Sequence, residues 1–254
     1  MTSTPVHLTG RIAAVLRALS GFQDRGASTS QLARASGLAR PTTHRLLVAL
    51  ADEGYVDRDQ ATGRWFLGPE LYLLGEVAAQ RYDVTRHARA SVHRLAAATG
   101  ESAFFSARRG DETVCLLRED GDFPIRSFVL YEGARFPLGV VSAGLVILAL
   151  LPDREIDDYL ARTDLTVHWG PQHGADALRE RIALTRQHGY AVNPGLVVEG
   201  SWGMAAAVFS SGGTPAWALT LTGVESRFRE HRRRELGALL LKEAHALTGT
   251  LRRR

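Results

Sequence analysis

The sequence predicts an α+β protein with an N-terminal winged helix-turn-helix over residues 1–68, a linker helix over 69–83 and an α/β domain over 84–254. Three observations carry that prediction. Two short helical patterns meet across a turn at Gly37, a pair of strand-like runs separated by turn residues follows at 54–68, and from about Val84 helical stripes alternate with strand-like runs.

The first helix opens at Thr9, an N-cap residue type, after a start expected to be loose; Ile12, Val15, Leu16 and Leu19 form its apolar stripe, and Ser20 with Gly21 ends it. Ser28 followed by Gln31 has capping-box spacing, so a second helix with Leu32, Ala33 and Ala35 on its apolar side starts there and stops at Gly37. A third runs from about Pro41, tolerated in a first turn because its missing N–H would be unpaired anyway, to about Glu53. At 100° per residue, Thr43, Leu46, Leu47 and Leu50 fall on one side of it, and Pro41, His44, Arg45 and Val48 on the other. No Asp or Glu occurs between Asp24 and Asp52, which suits a phosphate-lined groove. Such a helix enters the major groove, while Arg58 and Arg64 of the following hairpin reach backbone or minor groove. The candidate DNA contacts are Arg40, Thr42, His44 and Arg45 on the recognition helix, Ser28, Thr29 and Gln31 to phosphates, and Arg64 from the wing. Three ordinary helices and a hairpin with surface arginines are the plain alternative; the element order, the glycine between the helices and the acid-free window argue against it.

With 254 residues, 45% of them apolar, the chain is long enough for two domains with proper cores. Its formal charge is only +4, from 31 basic and 27 acidic residues, so a DNA-binding face must be local. Lys242 is the single lysine, and the arginines supply planar donors suited to phosphate and guanine. Cys115 is alone, which excludes an internal disulfide and a thiol-rich zinc site, and its apolar run at 113–117 reads as a buried strand. The N-terminus lacks a basic region followed by a long apolar one, and no stretch approaches bilayer length; a soluble, cytoplasmic protein with no membrane partner is expected.

Along the remaining chain, Pro69 starts a helix with Leu71, Leu74, Val77 and Ala78 on one face. A helix through Val92, Leu95 and Ala96 precedes three strand-like runs at 102–107, 113–117 and 124–130. A helix from Ser142 ends before Pro152, and two more cover 153–160 and 176–188. A hairpin pairs 202–209 with 216–222 across a turn-rich loop, and a final helix closes the chain. The competing function class is a hydrolytic or metal-dependent α/β enzyme with an accessory helical domain. Against it, no nucleophile elbow, dinucleotide-binding glycine turn, P-loop or zinc-protease motif is present. His168 and His173 have a spacing compatible with metal ligands, but without nearby acids or thiols a loop-surface role is expected. No catalytic residue, metal ligand or cofactor is assigned.

Four blocks, at 37–47, 63–75, 133–144 and 186–191, carry a further resemblance: GlyLeuAlaArgProThrThrHisArgLeuLeu, GlyArgTrpPheLeuGlyProGluLeuTyrLeuLeuGly, GlyAlaArgPheProLeu with the SerAlaGly helix start after it, and ArgGlnHisGlyTyrAla. From about Thr9 to Thr248 the chain resembles the IclR family of bacterial transcriptional regulators. The resemblance implies a C-terminal effector-binding domain with a GAF- or PAS-like curved sheet, binding to a double-stranded DNA operator as a homodimer or dimer of dimers, and control by a small molecule. Carried over by position, the effector pocket falls on Ala143 and Gly144, on Asn193, on Gly203, and on Thr220 and Thr222. Physically, free N–H groups around Ser142 to Gly144 form an anion site, and Thr220 and Thr222, two apart in a strand, share a face. Plain β-propensity accounts for the two threonines equally well without the family. Departures from the family pattern are Asn193 for the usual acid, Gly203 for the usual Cys, Leu145 for the usual Lys and Gly139 for a common His. They imply a roomier, less polar cavity, with Phe104, Trp202, Met204 and Trp217 as apolar walls, and an effector bulkier or less polar than a two- or three-carbon acid.

Overall fold

A stripe of Ile12, Val15, Leu16 and Leu19 gives α1 (Leu8–Ser20) its inward side, with Val15 and Leu19 buried. The helix begins before Thr9, so the N-cap is His7, which makes no side-chain bond, and Thr9 caps nothing. The computed structural model describes residues 7–81, 84–127 and 129–253; the start before His7 and the Tyr82 and Asp83 end of the linker lie outside the described residues. Two compact units result, Met1–Tyr82 and Asp83–Arg254.

In the first unit α2 (Thr29–Ser36) carries the expected capping box: Gln31 N–H donates to Ser28 Oγ at 3.3 Å and Ser28 N–H to Gln31 Oε1 at 2.9 Å. Gly37 ends it with φ of 70°, a left-handed conformation that costs glycine nothing. α3 (Arg40–Asp52) buries Thr43, Leu47 and Leu50 against α1 and α2. The wing consists of β1 (Val56–Arg58) and β2 (Trp65–Leu67), antiparallel, and β2 also bridges to Ala27. Trp65, 2% exposed, closes the small core. α4 (Pro69–Arg81) is the expected helix; Leu74 and Val77 of its stripe are exposed, as are Tyr72 and Leu73 beside them, at 68% and 57%.

The second unit contains α5 (Val84–Thr99), β3 (Ser102–Arg109), β4 (Glu112–Glu119), β5 (Arg135–Pro137), α6 (Ser142–Ala149), α7 (Asp153–Arg162), the short α8 (Thr166–Trp169), α9 (Ala175–His188), β6 (Ala191–Pro194), β7 (Ser201–Phe209), β8 (Pro215–Val224) and α10 (Glu230–Arg252). Its antiparallel sheet has the order β5-β4-β3-β8-β7-β6. Period-two alternation sorts the side chains cleanly. Met204, Ala206, Val208, Leu219 and Leu221 face α5 and α10, whereas Ala205, Ala207 and Ala218 face α6. α6 is apolar all round and every one of its residues is buried, as a helix sandwiched between a sheet and other helices requires. No described helix is long and apolar enough to cross a membrane.

Of the run at 124–130, expected as a strand, Phe128 lies outside the described residues and the other six form no strand. The outer edge of β4 is taken by 133–137 instead: Gly133 N–H donates to Cys115 O at 2.8 Å and Cys115 N–H to Ala134 O at 2.9 Å. The displaced run folds back so that Leu130 is buried on Phe104 and Cys115. Burial pushes the Cys115 thiol up to about 12, which keeps it protonated and unreactive.

Glu101, 1% exposed, ties the ends of the unit together. It accepts from Arg227 Nε at 2.5 Å and Arg232 Nη1 at 2.7 Å, and both arginines also donate to Thr99 O at the end of α5. Glu101→Ala would leave two partly buried guanidiniums without their counter-charge, with only backbone carbonyls as acceptors. The expected outcome is a loss of about 3–5 kcal/mol in chemical denaturation of the second unit, with the first unit's transition unchanged.

Candidate DNA-reading helix and effector cavity

The outward side of α3 is built as its periodicity requires. Arg40, Pro41, His44, Arg45 and Val48 are exposed, Thr42 is half-buried, and Thr43 is buried. Arg40 and Arg45 make no hydrogen bond or ion pair among the described residues, so both guanidiniums are available to an acceptor outside the protein. His44 packs edge-on against Trp65, ring centroids 6.4 Å apart, which orients it from the wing side.

Other candidate contacts are already engaged. Arg64 Nη1 donates to Arg25 O at 2.9 Å and Gly26 O at 3.2 Å, so the wing arginine folds back onto the turn before α2. Arg58 lies 5.3 Å above the Trp65 ring. Ser28 spends its hydroxyl inside the capping box, and Gln31 spends its oxygen there, leaving the Gln31 NH2 group to donate. Thr29 Oγ1 accepts from Trp65 Nε1 at 3.0 Å and keeps its O–H free to donate.

In the second unit Ser142, Ala143, Asn193, Trp202, Gly203, Thr220 and Thr222 border one cavity of about 30 Å³. Registers explain the convergence: Gly203 pairs with Thr222 and with Asn193, and Thr220 lies one step along the same face. The hydroxyls of Thr220 and Thr222 are buried without a hydrogen-bond partner, and Ser142 Oγ makes no described bond either. Above them starts α6, whose N-cap Val141 offers no side-chain acceptor to the first-turn N–H groups. Among the described residues no charged side chain lines the cavity.

Of the four expected apolar walls, Trp202 borders the cavity and three take other places. Met204 and Trp217 are on the opposite face, the first packed toward α5 and α10 and the second stacked on Phe105 with centroids 6.5 Å apart. Both have the wrong parity relative to Gly203 and Thr220. Phe104 has the right parity, pairing with Thr220, but is wholly buried beside Cys115 and Leu130 as support for the wall. Gly144, expected for its backbone N–H at the helix start, is not among the lining residues; a Cβ there would lie 3.1 Å from Gly139 N and Leu138 Cα. Trp202 borders the cavity while its ring carries the Arg233 guanidinium, 5.3 Å away, on the far face.

The cavity is also tighter than expected, with space for roughly two waters. Smaller side chains leave no void here, because neighbours fill the space beside them. A Cβ on Gly203 would be 3.0 Å from Ser142 Oγ, and one on Gly139 would be 2.7 Å from Leu178 Cδ2. Val129, Leu130, Val141, Val197 and Ser201 complete the lining, unanticipated because 124–130 reads as a strand and nothing marks Val197. Val129 and Ser201 also border an outer cleft of about 740 Å³, across which Ser127 Oγ and Ser201 Oγ are 2.6 Å apart.

Asn193 is structural as well as lining. Its Nδ2 donates to Val140 O at 2.7 Å and its Oδ1 accepts from Leu196 N–H at 3.0 Å. His173, expected on a loop surface, is 1% exposed, with Nδ1 2.8 Å from Trp169 O. Burial holds its pKa below the usual histidine value, so the ring is neutral and its proton belongs on Nδ1. Among the described residues no group of three or more His, Cys, Asp or Glu could hold a metal ion.

Residues 9–60 match the IclR helix-turn-helix domain and residues 76–248 the family described as bacterial transcriptional regulator IclR C-terminal. The glycerol operon regulatory protein of Streptomyces coelicolor is 32% identical over 221 residues, 85% of this chain and 84% of that one. The transcriptional repressor IclR of Escherichia coli is 24% identical over 251 residues, 94% of this chain and 90% of its own. In three dimensions the chain is similar to an IclR homologue of Microbacterium hydrocarbonoxydans complexed with 4-hydroxybenzoate, with TM-score 0.76, 23% identity and coverage of 96% and 98% of the two chains. With both domain matches in chain order and the second spanning more than half of the sequence, the chain belongs to the IclR family of DNA-binding transcriptional regulators and is not an enzyme.

Proposed function

We propose that the protein binds a specific operator through α3 and that a small molecule held at the α6 start changes its operator affinity. The observation that carries the effector half is the pair of buried, unpartnered hydroxyls of Thr220 and Thr222 beneath an uncapped helix start. Buried polar groups are nearly always hydrogen-bonded, so orphans gathered in one cavity mark a place where a ligand supplies the partners. Neutral donors without a charged side chain suit a carboxylate or carbonyl head on an otherwise apolar molecule. A cavity of about 30 Å³ takes only that head, and a bulkier body would lie in the outer cleft past Val129 and Ser201. The regulator acts in the cytoplasm as a homodimer or dimer of dimers, and the exposed Tyr72, Leu73 and Val77 of α4 support self-association. Coupling requires only that the effector bind the DNA-competent and incompetent states with different affinity.

Three outcomes test this. Footprinting on fragments upstream of the protein's own and adjacent genes should show a protected site, with binding that weakens steeply as salt is added; no protection at modest ionic strength sinks the DNA half. Arg45→Ala should lose roughly 1–3 kcal/mol of operator affinity if it reads a base bidentately, whereas Arg64→Ala, already bonded internally, should lose less. Replacing Thr220 and Thr222 together by Val should keep or raise thermal stability, by up to about 1–3 kcal/mol per hydroxyl, and abolish the effector response found in a calorimetric screen of aromatic and aliphatic acids. A double variant that responds normally would remove the cavity from the mechanism.

A further inference from the structure

The free edge of the sheet carries a second set of hollows. β6 pairs with β7 alone, and its residues divide by parity: Asn193 lines the effector cavity, whereas Val192 and Pro194 line a separate hollow of about 230 Å³. That hollow shares His188, Tyr190, Val192 and Arg233 with a neighbour of about 460 Å³, so the two form one trough between α9 and α10.

Charge in the trough is one-sided. Arg181 from α9 and Arg233 from α10 both line it, and among the described residues neither meets a carboxylate. Nε and Nη1 of Arg181 and Nε of Arg233 are buried without any hydrogen-bond partner. Arg181 makes one described bond, Nη2 to Gln172 O at 3.2 Å. Burial lowers its pKa to about 10, so it remains charged at neutral pH. The one acid lining the trough, Glu230, is paired with Arg234 at 2.9 Å. Beside these cations lies an aromatic surface. Tyr190 stacks on His188 with centroids 5.6 Å apart, and its ring packs on Gly237 of α10, where any side chain would collide with it.

We propose that this trough is a second ligand site, for a small organic anion whose carboxylate or phosphate is taken by Arg181 and Arg233 and whose flat apolar body packs on Tyr190. Desolvated guanidinium N–H groups without acceptors are costly, and planar donors of this kind match carboxylate and phosphate oxygens two at a time. If the arginines served only to pack the fold, the fold would be better off with an apolar side chain at either place. The site also touches the effector cavity's own wall, since Trp202 borders that cavity and supports Arg233 with its ring.

Titration calorimetry of the full chain with benzoate, paired with 15N spectra of the arginine Nε–H groups, tests the assignment. Saturable benzoate binding that shifts the Arg233 Nε signal is expected. Arg181→Met and Arg233→Met should each weaken it about tenfold or more while leaving the thermal midpoint equal or higher. The Thr220→Val, Thr222→Val double variant should bind benzoate here as the parent does, which separates this site from the effector cavity. Inorganic phosphate present beforehand should weaken benzoate binding, because the guanidiniums recognise both. Binding lost in the threonine variant and kept in the arginine variants would overturn the proposal, as would no saturable binding at millimolar benzoate. Arginine variants that melt earlier with unchanged benzoate affinity would make both residues structural and would also overturn it.

Discussion

The effector cavity depends on one hydrogen bond, from Asn193 Nδ2 to Val140 O. Val140 lies just before the first turn of α6, and the bond fixes that turn against the edge strand β6, directly over the face that bears Thr220 and Thr222. His173 stands near the same carbonyl, Nε2 to oxygen 3.4 Å, but a neutral ring protonated on Nδ1 has no proton to give there. Asparagine therefore holds the carbonyl, and a carboxylate at this position would face it with two acceptors and no donor. Residue 193, where the family resemblance implies an acid, thus serves the scaffold in this chain. The polar groups left without partners at the cavity are the helix start and three hydroxyls, of Ser142, Thr220 and Thr222.

Much of this was legible in the residues. The capping box at Ser28, the stop at Gly37, the inward stripe of α3 and the alternation through the hairpin are local rules, and each holds because nothing distant competes with it. The recognition side of α3 was readable for the same reason: a helix that buries Thr43, Leu47 and Leu50 must show Arg45 and His44. Side-chain parity along the strands decides the walls as well. Once Gly203 and Thr220 are placed on one face, Met204 and Trp217 belong to the other, and the ring of Trp202 with them.

Other parts depended on partners far away in sequence. Residues 124–130 have strand character, yet β4 offers one outer edge and 133–137 occupies it, so the run becomes a wall of the cavity. Arg64 reads as a wing contact from composition alone, but two carbonyls 38 and 39 residues earlier hold its guanidinium. Likewise, smaller side chains at Gly139 and Gly203 imply space only if their surroundings stay still. Protein interiors are close-packed, and here Leu178 and Ser142 occupy the space that longer side chains at 139 and 203 would need.

The two sides of β6 show how one edge strand can serve opposite chemistries. On the cavity side the groups are neutral hydroxyls and the partial positive charge of a helix start, which favour a ligand whose head is recognised by geometry more than by net charge. On the trough side two guanidiniums lie partly desolvated without counter-ions, which favour net negative charge and tolerate variety in the rest of the molecule. Trp202 belongs to both, lining one and carrying Arg233 over the other. A ligand in the trough that draws the Arg233 guanidinium off its ring would change what holds Trp202 in place, and Trp202 pairs with Pro194 next to the asparagine that fixes the α6 start. The chain of contact from trough to helix start is therefore Arg233, Trp202, Pro194, Asn193 and Val140, with no step longer than a ring contact, a strand pair or a hydrogen bond.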